Sequence, residues 1–302
     1  MRSAIDSLLL HSPAQPLLAS RTRQRLGVLA YHQIEDASRF AEQVAFVAKE
    51  SNPISLSDLL NAIDKPGGSL PANPTLITFD DADRTLLELG LPVLERFKVP
   101  AVAFAVAENI GTARPFWWRE VEHLVRHGAT TRSLGKNSDS VIRSLKRVKD
   151  SERRALIGEL RRSAPGVRLE EHQLTADELR FLQHSGIDIG NHTLTHPVLD
   201  QCSDSEIRDE IARSHESLTE ALRTEPIAFA YPNGNWDLRA QRLLREQGYK
   251  FAFLFDHRVS EFPPTDPFRI SRLRVSTRTS MNRFRLIVSG LHPLIHHTLG
   301  RS

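Results

Sequence analysis

Two groups of polar residues in this sequence combine side chains that can bind a metal ion and move a proton. Asp80 and Asp81 stand side by side directly after the apolar run 75–79. Adjacent carboxylates at the end of an apolar segment lose solvation free energy unless a cation or a set of donors compensates them. The pair therefore indicates a bound metal ion.

The second group is His192 and His196, within the sequence 191–197. Imidazoles four residues apart fall on one side of a helical turn and can point at a single ion. Because Pro197 disfavours helix at the residue before it, we expect this turn to be short and to lie in a loop. Together with one Asp, the two histidines would form a His₂-carboxylate set that leaves positions open for water or substrate.

Short apolar runs are predicted to be the strands that position these groups. They are 27–31, 75–79, 101–106, 186–189, 227–231, 251–255 and a weaker one at 268–275. Helical patterns lie between most of them, at 86–97, 175–183 and 238–247, and from a Ser-x-x-Glu capping box at 203–206 to Leu222. Alternating strands and helices favour an α/β fold, an irregular seven-stranded (β/α) barrel in which the loops after the strands converge on one rim.

The barrel is predicted to be one domain with two additions. We expect residues 1–25 to be a loose N-terminal arm and residues 26–302 to form the barrel domain. The segment of about 112–175 is too long for a simple crossover and is charged and mostly helical, so it is predicted to be a helical insertion packed on the barrel.

Composition excludes several classes of protein. The 302 residues include 40 Lys and Arg against 37 Asp and Glu, and 40% are hydrophobic, which excludes a disulfide scaffold, a collagen-like chain and wholesale disorder. A single cysteine excludes a cysteine-based zinc cluster. Basic residues are dispersed, so no nucleic-acid partner is expected. Since no apolar run suits an export signal or a membrane span, the sequence predicts a cytoplasmic protein.

Three motifs give this chain a resemblance to a known family. The sequence 78–81, Thr-Phe-Asp-Asp, resembles the first motif of the polysaccharide deacetylases, the NodB-like carbohydrate esterases. The sequence 192–196 matches their second motif, and 229–234 is similar to the third. The motifs stand in the family's order, and the similarity runs from about residue 27 to 285.

The resemblance implies a function and a role for each residue. The protein would remove N-acetyl groups from amino sugars of a polysaccharide or its precursor, releasing acetate and a free amine. Asp80 would be the general base, and Asp81, His192 and His196 would hold a divalent metal ion, usually zinc. The backbone N–H of Asn233 would stabilise the oxyanion.

The chain departs from the family pattern at several positions. Ala82 stands where the family often has Gly, and Ala230 where it usually has the Arg that orients the base. Arg272 is one candidate replacement, although a surface salt bridge is the favoured interpretation of that residue. The general acid has no secure match, and His257 and His296 are the candidates.

Two other functions remain open at the sequence level. The same fold and metal ion could hydrolyse a small cyclic amide or ureide, or the barrel could bind glycans without turnover. The missing Arg favours the amide, whereas the aromatic pair Trp117 and Trp118, which could stack on sugar rings or anchor the insertion, favours sugar. A general base beside a complete set of metal ligands argues against a barrel that binds glycans without turnover. We expect His32, at the end of the first strand, either to line the pocket or to form a hydrogen bond with a loop.

Overall fold

The computed structural model of the chain describes residues 2–10, 12, 24–65 and 67–298, and a curled parallel sheet lies at its centre. Its strands are β1 (Gly27–Tyr31), β2 (Asn52–Pro53), β3 (Pro74–Phe79), β4 (Ala101–Ala105), β5 (Ile187–Asn191), β6 (Ala228–Ala230), β7 (Phe251–Phe253) and β8 (Leu273–Arg274). They neighbour one another in the order β7-β6-β5-β4-β3-β1-β8, and the short β2 pairs with β3. Each predicted strand is present, and β2 is an addition.

The sheet curls until one segment contacts both of its edges. Leu273 in β8 pairs with Leu29 in β1 at one edge. At the other edge, the N–H of Leu254, just after β7, donates to the carbonyl of Ile270 at 2.8 Å. The predicted irregular (β/α)₇ barrel is therefore confirmed, with weak pairing where β8 closes it.

Helices cover the outside of the sheet. They are α1 (Arg2–Leu10), α2 (Ala37–Glu50), α3 (Leu56–Asp64), α4 (Leu91–Phe97), α5 (Trp117–Arg126), α6 (Ser138–Leu145), α7 (Asp150–Ser163), α8 (Ala176–His184), α9 (Asp204–Leu222), α10 (Leu238–Glu246), α11 (Met281–Val288) and α12 (Leu291–Thr298). The capping box at Ser203 starts α9 as predicted, and Thr175 forms another at α8. None of the described helices has the length and apolar character needed to cross a bilayer.

The segment of about 112–175 contains α5, α6 and α7. These helices bury an apolar cluster of their own, made of residues such as Val121, Leu145 and Leu160. The insertion can therefore keep its shape while its outer ends contact the rim of the barrel.

The segment 1–25, expected to be a loose arm, includes the helix α1. Buried Asp6 in α1 accepts two hydrogen bonds of 3.0 Å from the Arg283 guanidinium in α11. This ion pair fastens α1 to the barrel domain. Residues 11 and 13–23 lie outside the described part of the chain.

One glycine shapes the floor of the barrel beneath the strand ends. A Cβ on Gly190 in β5 would lie 2.6 Å from the ring of Phe104. Because glycine has no Cβ, the Phe104 ring packs directly on β5, where its centroid lies 6.5 Å from that of His192.

Candidate active site

The ends of β3 and β5 bring the predicted site residues together. The N–H of Asp80 donates to the carbonyl of Tyr31 at 2.9 Å, which extends the pairing of β3 with β1 by one residue. The chain then turns sharply, with φ of 69° at Asp81 and 48° at Ala82. Ala82 thus occupies the left-handed region that favours glycine, at a cost on the order of 1 kcal/mol. The turn points Asp81 toward the loop after β5.

Asp81, His192 and His196 form a compact set of potential ligands. Asp81 Oδ1 lies 3.7 Å from His192 Nε2 and 3.6 Å from His196 Nε2. One ligand atom from each residue lies within 4.8 Å of those from the other two, and all three side chains are buried. Among the described residues, this is the one group of three or more such side chains with that geometry.

A hydrogen bond fixes the orientation of His192. Its Nδ1 donates to the carbonyl of Ala230 at 2.7 Å, because a carbonyl can only accept. In the neutral imidazole Nε2 is then left with a lone pair, which faces Asp81. Such second-sphere bonds are typical of metal-binding histidines.

The donor set fits a divalent cation. Asp81 Oδ1 is buried and accepts no hydrogen bond from the described residues, so two imidazoles and an unsatisfied carboxylate oxygen face one point. Burial, with the neighbouring Asp80 and Asp83 charges, raises the pKa of Asp81 well above its usual value. Burial lowers the pKa of His192 to about 4 and that of His196 well below its usual value. A cation would compensate the Asp81 charge and accept both imidazole lone pairs.

Asp80 is held by Arg272. The guanidinium donates to both carboxylate oxygens, at 2.6 and 2.8 Å, and also to the carbonyl of Leu254 at 2.6 Å. Burial has the largest single influence and would raise the pKa of Asp80, but the Arg272 charge and hydrogen bonds, together with His192 and His32, outweigh it and hold that pKa well below its usual value. Interpretation of Arg272 as a surface salt bridge is wrong, because its side chain is 0% exposed. Arg272 thus places a guanidinium on Asp80, which Ala230 cannot do.

The two histidines meet through an irregular loop. The expected helical turn is absent from residues 192–196, which the structure describes in full: Thr193 and His196 have left-handed φ values of 71° and 56°. The Thr193 N–H donates to Asn191 Oδ1 at 2.7 Å, and the His196 N–H donates to Thr193 Oγ1 at 3.0 Å. These side-chain acceptors replace helical hydrogen bonds and make the loop rigid.

A buried acid in α9 fixes the same loop from below. Glu210 accepts hydrogen bonds from the N–H groups of Leu194 and Thr195, at 3.0 and 2.9 Å. Our sequence analysis missed this residue. Its signal was an acid on the apolar face of α9, between buried Ile207 and Ile211.

The insertion contacts the loop after β5, which carries His192 and His196, through the first turn of α5. Trp117 Nε1 donates to the carbonyl of His196 at 3.1 Å, so Trp117 anchors the insertion to the barrel. The half-buried Trp118 places its ring centroid 4.4 Å from that of His196.

Arg119 donates at 2.8 Å to Asp83, whose other carboxylate oxygen accepts from the N–H and hydroxyl of Thr85. Asp83 and Arg119 were also missed, since nothing in their spacing marks them.

Asn233 lies in a tight turn after β6. Its φ is 59°, in the left-handed region that asparagine tolerates. Its side-chain oxygen accepts a hydrogen bond of 3.0 Å from Lys146 Nζ, at the end of α6, and its amide donates to Asn235 Oδ1 at 2.7 Å. The insertion therefore contacts this turn as well as the loop after β5.

The remaining histidines divide into two places. His32 lies at the rim, 3.9 Å from Asp80 Oδ2, with 44% of its side chain exposed. His257 packs against His292 and His296, with ring centroids 5.1 and 5.2 Å away. Its Nδ1 accepts from the Arg274 N–H and its Nε2 bonds to His292 Nδ1. Since both nitrogens of His257 are engaged, the structure does not favour His257 as the general acid.

Comparisons with known proteins agree with this arrangement. A sequence profile described as polysaccharide deacetylase matches residues 67–252. The poly-beta-1,6-N-acetyl-D-glucosamine N-deacetylase of Staphylococcus aureus (strain MSSA476) is 29% identical over 75 residues, which cover 24% of this chain and 25% of that relative. The match thus spans about a quarter of the relative's length.

Solved structures extend the similarity to the fold. The deacetylase PplD of Streptococcus pyogenes, in complex with acetate, has a TM-score of 0.59 and 15% identity, over 88% of this chain and 98% of that one. IcaB from Ammonifex degensii has a TM-score of 0.59 and 18% identity, over 89% of this chain and 97% of that one. Both similarities cover the curled sheet that carries the site.

Proposed function

Because this chain belongs to the polysaccharide deacetylase family, we propose that it is a metal-dependent hydrolase that removes N-acetyl groups from amino sugars of a polysaccharide or its precursor. One observation carries the proposal. Asp80, ionised and held by Arg272, adjoins an unsatisfied Asp81 that faces two imidazoles. That arrangement supplies a base next to a set of metal ligands, the combination that metal-assisted hydrolysis of an amide by water uses.

Asp81, His192 and His196 would hold the cation, and the two nitrogens and one oxygen suit zinc. When bound, the ion would polarise the acetamide carbonyl and lower the pKa of a water molecule. The chain fixes the His192 imidazole through the Ala230 carbonyl and the backbone of His196 through the Thr193 hydroxyl. Little reorganisation is then needed on binding.

Asp80 acts as the base in this proposal. The Arg272 ion pair keeps it ionised at neutral pH, so it can accept the proton of the attacking water as the new C–O bond forms. Arg272 also fixes the direction of both carboxylate oxygens. The C–N bond then breaks as the proton held by Asp80 passes to the amine nitrogen, so that one water is consumed and the products are acetate and a free amine.

The substrate would be an N-acetylated carbohydrate bound at the open rim. The backbone N–H of Asn233 would donate to the carbonyl oxygen as negative charge develops on it. Trp118, half-buried beside His196, offers a flat apolar surface to a sugar ring. The Staphylococcus relative is a poly-beta-1,6-N-acetyl-D-glucosamine deacetylase, so β-1,6-linked N-acetylglucosamine oligomers are the first substrate to test.

Acetate release from these oligomers and from chito-oligosaccharides tests the proposal, with metal removed by a chelator and then restored as zinc. We expect activity to disappear with the metal and to return with zinc. Asp80→Asn should lower kcat by about 10²- to 10⁴-fold while zinc binding persists, and His192→Ala should lose both. If Asp80→Asn released acetate at the parent rate, the assigned base would be wrong.

A panel of small cyclic amides and ureides, assayed with the same zinc-loaded protein, separates the substrate classes. We expect no turnover of these compounds. Turnover of a ureide without acetate release from any sugar would replace the proposed substrate while retaining the metal centre. A protein that bound oligosaccharide but released no acetate in any metal state would contradict the hydrolase proposal itself.

A further inference from the structure

Lys146 differs from the other cations that the insertion directs at the barrel. Arg119 pairs with Asp83 and Glu171, and Arg154 pairs with Asp150 and Glu210. Within the part of the chain that the structure describes, the Lys146 ammonium has no carboxylate at ion-pair distance, and its hydrogen-bond partner is the neutral amide of Asn233. A half-buried cation with only a neutral partner is poorly compensated.

The ammonium lies close enough to the metal ligands to affect their electrostatics. Burial has the largest influence on the pKa values of Asp81, His196 and His32, and the Lys146 charge is among the further influences, lowering all three. Burial lowers the pKa of Lys146 itself, and Asp81 opposes that change. The hydrogen bond to Asn233, in the turn that follows the Ala230 carbonyl holding His192, places the Lys146 ammonium beside the candidate site.

Asn233 explains why the ammonium stays there. The Asn233 oxygen accepts from Lys146 at 3.0 Å while its amide donates to Asn235, whose own amide donates to Asp200 Oδ2 at 2.7 Å. This chain of hydrogen bonds fixes the acceptor for one Lys146 N–H. The ammonium has two further N–H groups, and the backbone of Asn233 belongs to the turn proposed to contact the substrate oxygen.

We propose that Lys146 is a catalytic residue that donates a hydrogen bond to the carbonyl oxygen of the bound N-acetyl group and stabilises the negative charge that develops there. This inference rests on the proposed function. It adds a cation from the inserted helices to the backbone donor at Asn233, and no proton leaves Lys146 in the step. The substrate oxygen would be the negatively charged partner of this ammonium, which pairs with no carboxylate of the described residues.

Four variants of the zinc-loaded protein test the role of Lys146. Lys146→Met removes charge and hydrogen bond, Lys146→Gln keeps a donor to Asn233 without the charge, and Lys146→Arg keeps the charge. Lys149→Met is the matched control, because it removes an exposed lysine from the same insertion. We expect kcat to fall about 100-fold in the Met and Gln variants, to fall less in the Arg variant, and to be unchanged in the control, with zinc content equal throughout.

Acetate binding, measured by calorimetric titration, provides a readout that does not need turnover. Lys146→Met and Lys146→Gln should bind acetate at least about 10-fold more weakly than the parent, since the anion loses a cationic donor. Unchanged kcat and unchanged acetate affinity in a folded, zinc-loaded Lys146→Gln protein would overturn the inference. If the parent protein released no acetate from any sugar, the proposed function would fail, and the acetate titrations would still decide whether Lys146 binds the anion.

Discussion

The strand ends and the insertion meet at the same site, but they hold their side chains there by different means. At the strand ends, backbone hydrogen bonds fix the residues, since the N–H of Asp80 donates to the Tyr31 carbonyl and the N–H of His192 donates to the Ala105 carbonyl. The insertion reaches the site through side chains, such as Trp117 on the His196 carbonyl and Lys146 on Asn233.

This difference indicates a division of labour. The groups proposed to carry the metal and the proton come from the ends of barrel strands and from the loop that follows β5. Trp118 and Lys146, proposed to contact the sugar and the substrate oxygen, come from the insertion, which has its own apolar cluster, and they join the backbone donor that the barrel supplies at Asn233. Changes at the strand ends should therefore affect stability and chemistry, and changes in the insertion should affect substrate binding and charge stabilisation.

The largest effect on stability is expected from Arg272→Met, because it leaves the buried Asp80 carboxylate without its partner. We expect the free energy of unfolding to fall by about 3–5 kcal/mol, measured by urea denaturation. Arg274→Met, at an exposed position two residues away, is the control and should cost less than about 1 kcal/mol. Combining Arg272→Met with Asp80→Asn should recover part of the loss. No recovery in the double variant would contradict the pairing.

An intermediate effect is expected from Glu210→Gln, at the border between the two regions. One carboxylate oxygen of Glu210 accepts from the N–H groups of both Leu194 and Thr195, and in glutamine a neutral amide oxygen must replace it while the amide nitrogen faces Arg154, so both bonds weaken and the loop that carries His196 should loosen. Zinc affinity, measured by competition with a chelator, should fall about 10-fold. Glu216→Gln, on the exposed side of α9, should leave zinc affinity unchanged. Equal affinities in both variants would show that the loop does not depend on Glu210.

The smallest effect is expected from Trp118→Ala. Loss of the aromatic surface beside His196 should raise KM for oligosaccharides about 3- to 10-fold with little change in kcat. Trp118→Phe should fall between the parent and the Ala variant. Phe181→Ala, which removes an aromatic side chain 55% exposed on α8, should change neither constant. A fall in kcat with KM unchanged would assign Trp118 to the chemistry and weaken the division between the regions.

The comparison also explains what the sequence could predict. Asp80, Asp81, His192 and His196 follow strands with a clear apolar pattern, so their meeting at one rim follows from parallel topology. The conformation of the loop after β5 could not be predicted from the strand pattern. The left-handed φ values at Thr193 and His196 depend on acceptors supplied by Asn191 and Glu210.

The contributions of distant segments were harder to predict. Arg272 is separated from Asp80 by 192 positions in the chain, and its burial follows from the closure of the barrel between β7 and β8, not from any local pattern. Lys146 is one of several basic residues between α6 and α7, and only the packing of the insertion distinguishes it. Such contacts are set by tertiary structure, whereas strand periodicity and motif order are local properties of the sequence.

The central claim, that Asp81, His192 and His196 share one cation, is tested most directly by anomalous diffraction at the zinc edge from crystals of the zinc-loaded protein. We predict a single strong zinc peak bound by one Asp81 oxygen and by the Nε2 atoms of His192 and His196, at about 2.0–2.2 Å. A zinc ion held by other residues, with these three side chains uncoordinated, would contradict the account.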